Sequence, residues 1–159
     1  MERYRILEHT ADGKFRAFGR TLEEAFGNAA LACASLMWDW EAVERRVVFP
    51  VEARGRDREQ LLCRFLEEIL YLLDTRDFLL GAVEDLRLVE EEASSEDLPE
   101  RERVEGGEIP PAYRLTARFV GDDDPARYEF HGDVKAITYN EMKIERGCEG
   151  WIVQVVVDM

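Results

Sequence analysis

The chain has 159 residues, 46% of them hydrophobic, and a formal net charge of −14 from 35 acidic and 21 basic residues. That length supports one domain with a single core, and no apolar run approaches the roughly 20 residues that span a bilayer. A surface this acidic opposes direct, stable nucleic-acid binding, whose affinity comes from phosphate neutralisation; it suits a basic protein partner or attracts divalent cations.

Tyr4 to Glu8 reads as a short strand and Lys14 to Phe18, which alternates polar and apolar residues, as a half-buried one. Between them His9-Thr10-Ala11-Asp12-Gly13 forms a polar turn. Thr21 and Glu24 make a T-x-x-E capping box, and Leu22, Ala25, Phe26, Ala29, Cys33, Leu36 and Met37 then follow at helical spacing. This helix fails near Trp38-Asp39-Trp40. Arg46 to Ala53 is a strand in which Pro50 favours an edge or a bulge. Asp57 with Gln60 opens a second helix, whose apolar face is Leu61, Leu62, Phe65, Leu66, Ile69, Leu70 and Leu73. Phe78 to Val89 reads as one extended or bent strand.

Residues 90 to 111 are rich in Glu, Ser, Gly and Pro and read as a solvated, flexible acidic loop within the domain. Strand patterning resumes at Ala112 to Val120, and Gly121 to Pro125 is a turn. Val134 to Ile144 does not divide cleanly between strand and helix. Trp151 to Val157 is almost continuously apolar, the mark of a central strand buried on both faces. The expectation is an α+β two-layer sandwich spanning 1–159, with a mixed or mostly antiparallel sheet and two main helices packed on one face.

Three scattered cysteines, Cys33, Cys63 and Cys148, form no C-x-x-C pair, and two fall on apolar helical faces. Buried thiols in a reducing cytoplasm are expected, not a disulfide framework or a zinc site. The start, Met1-Glu2-Arg3-Tyr4, lacks the basic flank and apolar core of a secretory signal. A soluble, cytoplasmic protein without a membrane partner follows. No nucleophile-elbow, phosphate-loop, dinucleotide or H-E-x-x-H signature is present, and His9 and His131, the only histidines, mark no Ser or Cys as a nucleophile.

Asp158 directly follows the most apolar strand, where an isolated buried charge is costly. Asp12 lies in the polar turn after the first strand. If that turn meets Asp158 and Met159 in space, hard oxygen ligands converge, which suits Mg, Ca or Mn better than zinc. From spacing alone the plainer account, a turn residue and a frayed strand end, is the stronger one. Asp122-Asp123-Asp124 lacks the glycine and distal glutamate of an EF-hand and reads as a solvated turn. Asp39 is equally a helix-end residue or one facing a site. Lys135, one of only three lysines, is a surface charge or a compact phosphate contact.

Several segments together resemble the archease family: HTAD (His9 to Asp12), G-x-TLEEAF (Gly19 to Phe26), M-x-D (Met37 to Asp39), LL-x-x-FL-x-E-x-LY (Leu61 to Tyr71), VKAITY (Val134 to Tyr139) and the ending W-x-V-x-VVVD-M (Trp151 to Met159). They run in order along nearly the whole chain. The resemblance implies a non-catalytic activator of a GTP-dependent RNA ligase of the RtcB type, which joins tRNA exon halves. The activator speeds guanylylation of the ligase's active-site histidine and allows multiple turnover. It further implies that Asp12, Asp158 and Met159 hold a divalent metal ion (Ca, Mg or Mn), Met159 through a main-chain oxygen or a terminal carboxylate. Lys135, Asp39 and His9 become candidate contacts to the partner or to GTP. Two departures stand out: segment 90–111 is longer than in a compact member, and Asn140 follows VKAITY where many relatives carry histidine. A general chaperone or modulator without metal chemistry is the alternative reading.

Overall fold

A computed structural model describes residues 1–8, 12–90 and 112–159. In chain order the elements are β1 (Tyr4–Leu7), β2 (Gly13–Gly19), α1 (Leu22–Ser35), β3 (Val47–Gly55), α2 (Arg58–Arg76), β4 (Leu79–Glu90), β5 (Tyr113–Asp122), β6 (Ala136–Gly147) and β7 (Gly150–Asp158). Short 3-10 turns occupy Trp40–Ala42 and Pro125–Arg127. No helix among the described residues is long and apolar enough to cross a membrane.

Both helices start where their caps dictate. The Thr21 hydroxyl accepts from the Glu24 amide at 3.1 Å and the Asp57 carboxylate from the Gln60 amide at 2.7 Å, each satisfying a donor the first turn leaves free. At the far end of α2, Asp77 takes a left-handed conformation (φ 55°) and its amide closes back on Leu73.

The antiparallel α+β architecture is observed, with the strands divided into two sheets. One has the order β1-β2-β7-β6 and the other β3-β5-β4, and every pairing is antiparallel. Pro50 sits on β3, an edge strand, where its missing N–H disturbs no ladder on the open side. β7 is central as its composition requires, with Val153 to Val157 buried without interruption.

Each helix touches both sheets: α1 packs on β2, β7 and β4, and α2 on β3, β5 and β6. Ala25, Phe26 and Ala29 through Ala34 are all buried, so α1 keeps almost no solvent face beyond its first turn. The small alanines allow backbones to approach closely from several sides. The core between the layers is aromatic, with Phe65 stacked 6.4 Å from Phe26 and tilted 5.5 Å from Phe119.

The segment the sequence left undivided is mostly β6. Its pairing with β7 slips between Thr138 and Lys143, and Glu141 in the slip has φ 51°. There the Gln154 amide donates to the Glu141 carbonyl at 2.7 Å while the Glu141 carboxylate lies 3.6 Å from Lys14 Nζ. The slip thus reaches across β7 toward β2, consistent with the near-complete burial of Val156 on that face. The expected turn at Gly121 starts later, because β5 continues to Asp122. Glu90, the first residue of the expected acidic loop at 90–111, is the last residue of β4, and the rest of that segment lies outside the described residues.

Candidate metal centre

Pairing of β2 with β7 sets Gly13 opposite Val157. One residue further in each direction come Asp12 and Asp158, so the two aspartates stand at the same end of neighbouring strands. β6 flanks β7 on the other side, with Ala136 opposite Asp158. The Lys135 amide donates to the Asp158 carbonyl at 2.8 Å. That bond occupies the Asp158 main chain and leaves its exposed side chain to the solvent side; Asp12 is half-buried.

Met159 is anchored by its side chain. A Cβ placed on Gly13 would lie 2.8 Å from Met159 Sδ, and one on Gly132 would lie 3.1 Å from Met159 Cε. Both glycines therefore leave room for the methionine, which packs beside Leu36 at the end of α1. The same end carries the loop Glu129 to Lys135. His131 fastens it twice, its amide donating to Met37 O at 2.9 Å and its Nε2 lying 2.7 Å from Ser35 O. This is the hydrogen-bonded structural role that a lone histidine usually has. Phe130 makes an edge contact with the buried Trp38, centroids 5.7 Å apart, and the Trp38 indole donates to Leu80 O at 2.9 Å.

The other expected contacts divide. Lys135 and Asp39 are exposed. The Asp39 carboxylate accepts from the Glu41 amide at 3.1 Å and caps the 3-10 turn that follows α1. His9 lies outside the described residues. Among the described residues no three His, Cys, Asp or Glu side chains cluster closely enough to share an ion. A cation here would draw on the two aspartates and on oxygens of Met159. Such a donor set is all hard oxygen, the chemistry of Mg, Ca or Mn sites completed by water. In donor chemistry, though with only two carboxylate side chains, the residues match that kind of ion.

Burial pushes the Cys33 thiol up to about 12 and the Cys63 thiol to about 11, which keeps both un-ionised and poor nucleophiles. Cys148 is exposed.

The sequence profile of the archease protein family (MTH1598/TM1083) matches residues 4–159. Protein archease of Pyrococcus furiosus is 36% identical over 100% of both chains. That of Pyrobaculum calidifontis is 39% identical over 98% of this chain and 95% of its own. This chain belongs to the archease family. Among solved archease structures, Methanobacterium thermoautotrophicum protein 1598 is 28% identical with a TM-score of 0.77 and full coverage of both chains. An archease of Thermotoga maritima, described as a possible chaperone, shares the fold at a TM-score of 0.50 and 15% identity, over 96% of this chain and 94% of its own.

Within this archease fold, Phe130, Gly132 and the pinned loop around them escaped the reading of the sequence. Their one visible signal is an isolated aromatic followed by glycine in the polar run Glu129-Phe130-His131-Gly132-Asp133.

Proposed function

We propose that this chain activates a GTP-dependent RNA ligase of the RtcB type, promoting guanylylation of the ligase's own histidine and repeated turnover, and that it is not itself an enzyme. The observation that carries this reading is the placement of Asp12 and Asp158 at the same end of neighbouring strands, beside Met159, in a chain of charge −14. Family membership gives the reading its context.

Asp12, Asp158 and Met159 oxygens are the proposed holders of the divalent ion. Its chemistry, when bound, is neutralisation of charge on triphosphate oxygens during phosphoryl transfer. The chain's own part is positional. The bond from the Lys135 amide fixes the main chain of Asp158, and the packed Met159 side chain fixes the residue after it. The exposed Lys135 ammonium is free to meet a phosphate that approaches this end. The nucleophile is supplied by the ligase, in keeping with the un-ionised buried thiols here. Tight RNA binding by this chain is not required, and its charge opposes it.

The test is self-guanylylation of the cognate ligase with GTP and Mn²⁺, with and without substoichiometric amounts of this protein. Faster guanylylation that disappears in folded Asp12→Ala and Asp158→Ala variants supports the role. Stimulation that survives both substitutions would favour a general chaperone or modulator without metal chemistry.

A further inference from the structure

Phe130 is 45% exposed, although aromatic side chains of this size dominate cores when they can be buried. It is also held in place. Its ring meets the edge of Trp38, which is fully buried and hydrogen-bonded to Leu80 O. The next residue, His131, is tied to Met37 and Ser35 of the segment ending α1. Gly132 follows, pressed so closely on the Leu36 carbonyl that a Cβ there has no room. An exposed aromatic with its conformation already fixed loses little entropy on association, which is the property of an interface anchor.

The charged groups around it are mostly of one sign. Glu129 and Asp133 flank it in the loop, Asp39 follows Trp38, and all three are exposed. Asp158 and Asp12 stand at the adjacent strand ends. Against them are Lys135, the ring of His131, and Arg127, whose guanidinium is already paired with Glu44 at 3.0 Å. Carboxylates surrounding a rigid apolar projection complement an apolar recess rimmed by lysine and arginine.

We infer that Phe130 is the anchor by which the acidic end of this protein docks into an apolar pocket with a cationic rim on its partner. This rests on the activator reading for the partner's identity, and it assigns affinity to Phe130 and metal chemistry to the aspartates. The two roles therefore separate by experiment. Full-length protein, fluorescently labelled, is titrated with the cognate ligase at low and high salt, alongside guanylylation assays and Mn²⁺ titration of each variant alone.

Phe130→Ala is expected to weaken ligase binding at least about tenfold while Mn²⁺ affinity and stimulation at saturating protein stay at wild-type levels. Glu129→Lys with Asp133→Lys is expected to weaken binding and flatten its salt dependence. Wild-type affinity in Phe130→Ala overturns the anchor. If that variant does not fold, unchanged affinity in the charge-reversed protein overturns the proposal instead. A wild-type protein that binds through Phe130 without stimulating would sustain the docking surface and remove the activator role. One that does not bind the ligase at all removes both.

Discussion

The amide of Lys135 donates to the carbonyl of Asp158, so the main chain of one candidate residue holds the other in register. Backbone and side chain of Lys135 thus have separable effects. Lys135→Ala keeps the donor and should leave thermal stability within about 0.5 kcal/mol, as for most surface substitutions. Lys135→Pro removes the donor and should cost about 1 kcal/mol or more and weaken Mn²⁺ binding. Thermal melts and calorimetric Mn²⁺ titration of the two variants distinguish the roles; equal behaviour would contradict them.

Binding of a divalent ion to the folded chain alone should stabilise it. At a free concentration a hundred times the dissociation constant the gain is about 2.7 kcal/mol, a rise in Tm of roughly 5–10 °C for a domain of this size. Chelator should reverse the shift, and Asp12→Asn or Asp158→Asn should abolish it with little loss of stability in metal-free buffer. Scanning calorimetry with and without Mn²⁺ reads all three.

Gly132→Ala should displace the loop that carries Phe130, because the added Cβ meets the Leu36 carbonyl. A steric insertion of this kind costs about 1–3 kcal/mol. Gly147→Ala, where the nearest atom to an added Cβ is 3.8 Å away, is the matched control and should be tolerated. Denaturant unfolding of the pair measures the difference.

Cys33 bears on alkaline stability. Burial raises its thiol to about 12 in the folded chain, against roughly 8.5 for a free cysteine. The unfolded chain therefore loses this proton first as pH rises. The contribution is fully present below about pH 8.5 and declines toward pH 12, by at most about 1.4 kcal/mol per pH unit for this group. Cys33→Ala should flatten that part of the curve. In native protein at neutral pH, a thiol reagent should modify Cys148 fast and reach Cys33 and Cys63 only on unfolding.

The parts of the fold set by neighbours in sequence were legible. Thr21 with Glu24 and Asp57 with Gln60 announce the helix starts because a cap is made within four residues. The apolar run before Asp158 announces a doubly covered strand. What was hidden depends on distant pairing. Nothing local says that β2 joins β7 from the other end of the chain while β3, β4 and β5 form a sheet of their own. The slip in β6 defeated alternation because Tyr139 to Met142 stand opposite almost nothing in the ladder. At the candidate site, Asp12 and Asp158 stood out by residue type and place. Phe130 did not, because its exposure follows from a tertiary contact with Trp38 and from a loop pinned by His131.

The alanine-lined α1, in contact with both sheets, also limits how the molecule can open. Neither sheet can detach without exposing that helix, so partial unfolding through the middle of the protein gains little over complete unfolding. In a deuterium-exchange experiment the amides of Ala29 to Ala34 should exchange together with those of β7, at the slowest rate in the chain. Within the pinned Glu129–Lys135 loop, the amides of His131 and Lys135, bonded to the Met37 and Asp158 carbonyls, should exchange more slowly than the exposed amides beside them, so that this end of the molecule presents a surface already set before any partner arrives.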